Sequence, residues 1–298
     1  MTDIRVVDLF AGCGGMSLGF QNAGFRVVAA YDNWKPAVEI YSKNFTHPIF
    51  DLDLGGRDAV NEISKHRTEV IIGGPPCQDF SSAGHRDETR GRADLTTAFA
   101  NIVCEIRPKY FVMENVPRAQ KSRVFSRALG KFRRAGYGLS VVVLDASRCG
   151  VPQIRKRLFV IGGLTFKEGQ LEQSLLEGQD EKQKTLFDYF GDSLGFKHYF
   201  RVPRTYQRRG VFSIYEPAMT VRGVDRPVPS GYPGHPKDST KLRKGIRTLT
   251  QRERSQVQTF PSDFCLDVPK TSANLLIGNA VPVKLAEYVA KELLRHAR

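Results

Sequence analysis

The sequence predicts an α/β fold: a doubly wound, mostly parallel sheet with a second, smaller, irregular unit late in the chain. Three observations predict it. Apolar, β-branched runs alternate with helical spacing from Ile4 to Ile161, the pattern of strand–helix units on a parallel sheet. A glycine-rich turn directly follows the first run. Periodicity is then weak from 165 to 248 and returns at Leu285. The expected division is 1–163 plus 272–298 for the larger unit, and 164–271 for the second unit.

The elements follow in order. Ile4 to Phe10 reads as the first strand, Ala11-Gly12-Cys13-Gly14-Gly15 as the turn, and Met16 to Asn22 as a helix. Phe25 to Tyr31 is a second strand, ending at Asp32. Glycines in such a turn let the backbone approach a ligand, and the acid 20 residues after Gly12 suits ribose hydroxyls. Ser17 breaks the G-x-G-x-x-G pattern, which favours an adenosyl compound over a dinucleotide and weighs against a nicotinamide dehydrogenase. Trp34 to Phe45 has helical spacing. Ile49 and Phe50 lead to Asp51-Leu52-Asp53, a third strand end with acids for an adenine amino group.

Val70-Ile71-Ile72 reads as a buried strand stopped by Gly73-Gly74-Pro75-Pro76, a stiff turn. Cys77 sits at its mouth. Strand ends of open α/β sheets are where ligands bind, so the position suits a nucleophile, although free cysteines are mostly buried and inert. Asp94 to Ile106 reads as a helix, and Lys109 to Met113 as a strand ending at Glu114-Asn115-Val116-Pro117. Residues 118–134 hold seven bases and no acid, a helix with a solvated basic face. Leu139 to Leu144 and Leu158 to Ile161 are further strands. Leu285 to Leu294 is a last helix, expected to dock on the first unit.

Composition narrows the partners. A hydrophobic share of 41% supports a real core. Five cysteines, at 13, 77, 104, 149 and 265, are odd in number and lack C-x-x-C spacing. That argues against disulfides or a zinc ribbon and for a reducing cytosol; no metal site is expected. No secretory signal is expected at Met1-Thr2-Asp3, and no stretch nears the ~20 apolar residues of a membrane span. A formal charge of +14 with a pI near 9.7 points to a polyanion, most commonly nucleic acid. Arg201, Arg204, Arg208 and Arg209 lie beside Tyr206, a set suited to phosphate and base-edge contacts.

Six segments, in this order, resemble the DNA (cytosine-5) methyltransferases. They are Asp8-Leu9-Phe10-Ala11-Gly12-x-Gly14-Gly15, Pro75-Pro76-Cys77-Gln78-x-Phe80-Ser81, Glu114-Asn115-Val116, Gln153-x-Arg155-x-Arg157, Arg252-Glu253 with Gln258-x-Phe260-Pro261, and Gly278-Asn279-Ala280-Val281. The resemblance spans nearly the whole chain, and only 165–248 lies outside it. It implies a Rossmann-like, S-adenosylmethionine-dependent catalytic unit and a segment that reads the DNA target, where Thr220-Val221 matches a Thr-aliphatic pair.

The chemistry the resemblance implies is covalent. A thiolate adds to carbon 6 of cytosine, making carbon 5 nucleophilic towards a methyl donor. Cys77 is the implied nucleophile, provided nearby cations lower its pKa. Glu114, if burial raises its pKa, protonates the ring nitrogen. Asn115 orients backbone or base, and Arg155 holds the Glu114 carboxylate and the cytosine carbonyl. Gln78 and Arg157 complete the catalytic set, with phosphate contact or domain bridging an equal reading for Arg157. The cofactor set is Phe10 on the adenine, Gly12, Gly14 and Gly15 at the methionine end, Asp32 and Asn33 at the ribose, Asp53 (Asp51 its rival) at the adenine amino group, and Pro75, Asn279 and Val281. The DNA-binding set is Ser81, Arg86, Arg90, Arg201, Arg204, Arg208, Arg209, Thr220 and Arg222. The stretch from Ser82 to Leu95 is read as a mobile basic loop closing over DNA, and the target base must be flipped out.

The resemblance further implies a cytoplasmic, nucleoid-associated monomer of bacterial restriction-modification type, acting on double-stranded DNA with a cognate restriction endonuclease. Two rivals remain open. One is a tRNA cytosine-5 methyltransferase, whose expected Cys-Phe-Thr segment is poorly matched by Phe264-Cys265-Leu266. The other is an inactive DNA-binding relative.

Overall fold

A computed structural model describes residues 3–76, 95–205, 207–224 and 226–297. Seven strands form the main sheet: β1 (Arg5–Leu9), β2 (Arg26–Asp32), β3 (Ile49–Asp51), β4 (Val70–Gly73), β5 (Tyr110–Asn115), β6 (Gly138–Asp145) and β8 (Lys156–Gly163). A short strand, β7 (Gln153–Ile154), lies between the last two. The order is β3-β2-β1-β4-β5-β8-β6. All pairings among the first five strands are parallel, whereas β8 runs antiparallel to both β5 and β6. The reversal has a simple cause. Only residues 146–155 separate β6 from β8, too few for the helical crossover that a parallel return requires.

The strands are apolar on both faces because helices cover both. Successive side chains of a strand point to opposite sides, so neighbours join different cores. Val6, Ile72 and Val112 pack on one face with Phe20, Leu285, Val289 and Leu293. Val7, Ile71 and Phe111 pack on the other with Ile63, Phe99, Val103 and Phe132. The first layer is α1 (Gly15–Asn22) and α10 (Val283–His296), which lie against each other. The second is α3 (Ala59–Ser64), α4 (Leu95–Ile106) and α5 (Arg123–Arg134). α2 (Lys35–Asn44) and α9 (Lys270–Asn279) pack together with Phe260 and Phe264.

The second unit is built from α7 (Leu186–Phe190), the antiparallel pair β9 (His198–Phe200) and β10 (Val211–Ser213), β11 (Ala218–Met219) and α8 (Gln251–Val257). It has its own apolar core, including Leu186, Tyr199, Phe212, Ile214 and Leu249. β11 pairs in parallel with β7, which joins the two units through backbone.

The expected limits of 164 and 271 do not match the packing. Phe166, Leu171 and Leu175 belong to the core beneath α10, and α6 (Glu172–Glu177) lies on the outer strand β6. Glu168 and Glu172 accept the outward N–H groups of Leu139 and Val141, at 3.1 and 2.8 Å, which covers a sheet edge that would otherwise stay open. At the other end, Phe260 and Phe264 pack with Ala37 and Ile40. Both stretches therefore sit with the large sheet, because their apolar side chains complete its cores.

Candidate active site

A cleft of about 570 Å³ opens at the carboxyl ends of β1, β2, β4 and β5, the end of such sheets at which ligands bind. The turn after β1 forms its floor. Phe10, Gly12 and Gly14 have positive φ values of 57°, 56° and 84°, and the two glycines adopt that geometry without a side-chain clash. Asp32, at the end of β2, ties the turn in place. Its carboxylate accepts from the Gly12 N–H and the Trp34 N–H, each at 2.9 Å. Burial raises its pKa, and these backbone donors oppose that rise.

Phe10, Gly12, Gly15, Asp32, Asn33, Asp53, Pro75, Asn279 and Val281 all line this one cleft. Gly14 does not; its α-carbon is pressed against the rings of Tyr41 and Phe45 beneath the turn. Of the two rival acids, Asp53 lines the cleft, while Asp51 ends β3 in register with Asp32. Asp8, Trp34, Leu52, Val116 and Leu276, which are not among the expected site residues, also line it. Adjacency to Asp32-Asn33 and Asp53 was the available signal for Trp34 and Leu52.

Glu114, next to last in β5, lines the cleft and is 8% exposed. Its Oε1 accepts from Arg157 Nε at 2.8 Å. Burial raises the Glu114 pKa, opposed by the charges of Arg157 and Arg155. The uncharged acid is thus favoured by desolvation, and its ionised form by the guanidinium beside it. Oε2 lies against Gly74, where an added Cβ would sit 3.1 Å away. Asn115 is a strut. Its Nδ2 donates to the Pro75 carbonyl at 3.2 Å and its Oδ1 accepts from the Val116 N–H at 2.8 Å. It fixes the Pro75-Pro76 turn to the end of β5. Cys77, Gln78, Ser81, Arg86, Arg90 and Tyr206 lie outside the described residues, as does most of the Ser82–Leu95 loop.

The expectation that Arg155 holds the carboxylate is corrected by the geometry: Arg157 does so. Arg155 falls in the break between β7 and β8 and is 1% exposed. Its Nη1 donates to Val221 O at 3.2 Å, and its Nη2 donates to Gly278 O and Ala280 O, both at 2.9 Å. Its two Nη atoms serve these three carbonyls, its buried Nε has no partner among the described residues, and it does not line the cleft, whereas Arg157 does.

The arginines of the second unit separate by environment. Arg204 and Arg208 are exposed. Arg209 forms a two-point ion pair with Glu216, at 3.2 and 2.5 Å, and its guanidinium lies 4.3 Å over the Phe212 ring. That arrangement makes Arg209 part of the unit's own packing. Arg201 donates to Thr220 O at 3.0 Å, and Arg222 donates to Val202 O. The Thr220 hydroxyl donates to Ile154 O at 2.8 Å, so it fastens β11 to β7.

Comparison with known proteins agrees with this architecture. The model of the family described as C-5 cytosine-specific DNA methylase matches residues 4–295. The Type II methyltransferase M.HindV of Haemophilus influenzae is 51% identical over 294 residues, covering 98% of this chain and 96% of the relative. The Type II methyltransferase M.HgiDI of Herpetosiphon aurantiacus is 53% identical over 291 residues, covering 97% and 94%. Among solved structures, the S. pombe Dnmt2 methyltransferase superposes with a TM-score of 0.74 at 18% identity, covering all of both chains. A Spodoptera frugiperda DNMT2 variant gives 0.70 at 20% identity, covering 97% of this chain and 99% of the other. These two neighbours bear on the fold, which is that of the Rossmann-like methyltransferases. The match over residues 4–295 and the relatives above half identity place this chain in the C-5 cytosine-specific DNA methylase family.

Proposed function

We propose that this chain methylates carbon 5 of a cytosine extruded from a specific duplex DNA sequence, through a transient covalent bond to Cys77. The observation that carries the reading is the shared rim. The buried Glu114–Arg157 pair and the Pro75-Pro76 turn that leads into Cys77 line the same cleft as the glycine turn and Asp32. Its volume suits a ligand of drug size, and its donors and acceptors fit S-adenosylmethionine. Asp32 and Asn33 would hold the ribose, Asp53 the adenine amino group, and Phe10 and Trp34 the adenine faces. That group supplies an electrophilic methyl on sulfur.

The chain's residues do the remainder. Asn115 holds the proline turn that precedes Cys77 in the sequence. Glu114 in its acid form gives a proton to the ring nitrogen as the thiolate attacks carbon 6. Arg157 fixes the carboxyl through Oε1 and stabilises the anion left behind, leaving the Gly74 side for the base. The exposed Arg204 and Arg208, with Arg86 and Arg90 of the loop after Cys77, would meet phosphates. No helix among the described residues is long and apolar enough to cross a membrane. We place the protein in the cytoplasm with the nucleoid, acting as a monomer beside a cognate endonuclease.

Bisulfite sequencing of duplex DNA treated with the pure protein and S-adenosylmethionine tests the reading. Protection is expected at one recurrent sequence. Wild type should form a stable adduct with a duplex carrying 5-fluorocytosine at that site, and Cys77→Ala should still bind that duplex without forming it. Methyl incorporation into tRNA alone would overturn the assignment, and turnover by Cys77→Ala would remove Cys77 from the mechanism.

A further inference from the structure

Arg155, Gln153 and Gln258 form a buried joint between the cofactor cleft and the second unit. Arg155 has no ion-pair partner among the described residues, and its three acceptors come from two places. Gly278 O and Ala280 O belong to the segment that ends α9 and lines the cofactor cleft. Val221 O belongs to the irregular stretch that follows β11 in the second unit. Gln153 repeats the pattern. Its Oε1 accepts from the Val221 N–H at 2.8 Å, and its Nε2 donates to Gln258 Oε1 at 2.7 Å. Gln258 then donates to Ile277 O at 2.6 Å and Ala280 O at 3.2 Å. Both peptide groups of Val221 that face the joint are therefore tied, through one or two side chains, to the carbonyls of 277–280.

Steric contact reinforces the polar ties. A Cβ on Gly278 would overlap the backbone of Arg222 and Gly223, and a Cβ on Gly15 would overlap Val281 O. The segment 278–281 is thus clamped between the glycine turn on one side and the Val221–Gly223 stretch on the other. Filling the cleft cannot displace this segment without pulling on that stretch. Close-packed interiors transmit such displacement rather than absorb it.

We propose that Arg155 is a positioning residue that couples occupancy of the cofactor cleft to the placement of the Thr220–Gly223 stretch against DNA, with Gln153 and Gln258 as its partners. The proposal rests on the methyl-transfer reading and adds to it a thermodynamic link between the two ligands. A lysine at 155 is a point charge on a flexible stem and cannot bridge three carbonyls in fixed directions. The buried carbonyls leave little room for water to replace it.

The test measures four dissociation constants: S-adenosylhomocysteine with and without the duplex found by bisulfite sequencing, and that duplex with and without S-adenosylhomocysteine. In wild type each ligand is expected to tighten the other by the same factor, about fivefold or more. Arg155→Lys is expected to bring that factor below about twofold, while adduct formation on 5-fluorocytosine DNA at saturating DNA and S-adenosylmethionine stays within about threefold of wild type. Gln258→Met, which keeps the volume and removes both donors, should act in the same direction and decides the matter if Arg155→Lys does not fold. A wild type without coupling overturns the proposal. So does coupling that survives in the variants. A hundredfold fall in adduct formation at saturation, with coupling intact, would make Arg155 catalytic instead. Absence of any wild-type adduct would sink the methyl-transfer reading, and the binding constants would still judge the joint.

Discussion

The cleft floor and the second unit present arginines and acids in opposite ways. In the floor, Asp32, Glu114 and Arg157 stand at strand ends or within a central strand, backed by a close-packed core on each face. Their directions follow from the sheet. In the second unit the strands are two or three residues long. There, carboxylates organise the loops. Asp238 accepts from the N–H groups of Gly210, Val211 and His235 and from the Tyr232 hydroxyl. Glu216 accepts from Arg209, the Ser213 N–H and the Ser239 hydroxyl. One region fixes chemistry by backbone, and the other fixes shape by ionic contacts in reach of solvent. Substitutions should therefore fail differently in the two.

The largest effect belongs to the floor. Glu114→Gln keeps the shape and a hydrogen-bond donor, but it cannot release a proton. Single-turnover methyl transfer is expected to fall by about 10²–10⁴, with DNA affinity and thermal stability near wild type. In the proposed mechanism the acid form is the active one, so the rate should decline as pH rises through the Glu114 pKa, which burial holds above its ordinary value. A rate for Glu114→Gln within about tenfold of wild type would leave Glu114 as a structural partner of Arg157.

The second unit should respond in binding. Arg204 and Arg208 are exposed, and the double change to alanine is expected to lower the salt slope of DNA binding by about 1.8, from two phosphates at about 0.9 each. Arg209→Ala should leave that slope unchanged and lower Tm instead, because its guanidinium serves Glu216 and Phe212. Equal slope changes from all three would erase the distinction between phosphate-facing and structural arginines.

Much of the floor was legible because its signals are local. The glycine turn, the acid after β2 and the stop after β4 each follow from residue type and a strand period. What stayed hidden depends on neighbours far along the chain. Arg155 and Arg157 differ by two positions and share a motif, yet one meets Glu114 and the other meets carbonyls from 221, 278 and 280. Nothing in Gln-Ile-Arg-Lys-Arg distinguishes them. The reversal of β8 could be argued from the short link at 146–155, but alternation alone favours parallel strands. The edge cover by Glu168 and Glu172 comes from a stretch of weak period. Arg209 looked like its neighbours until Glu216 was seen beside it.

The smallest effect tests whether burial in the floor carries an electrostatic cost. Asp8 lies behind the glycine turn at 1% exposure and accepts from the Ser17 hydroxyl at 2.7 Å. Ser17 in turn accepts from the Tyr41 hydroxyl at 2.6 Å, which meets His47 Nε2 at 2.6 Å. Burial pushes the Asp8 pKa from 3.8 up to about 7, against the pull of the Ser17 bonds. A carboxyl with a higher pKa folded than unfolded binds its proton more tightly in the folded state. Its favourable contribution is present below pH 3.8 and is lost as pH rises towards 7. Asn has no such titration and keeps an oxygen for Ser17. Tm measured from about pH 5 to pH 8 should therefore fall more for wild type than for Asp8→Asn, and the two curves should converge or cross by a few degrees. Parallel curves would mean that water or a cation in the cleft solvates Asp8, and that the floor tolerates the charge as easily as the second unit tolerates its exposed carboxylates.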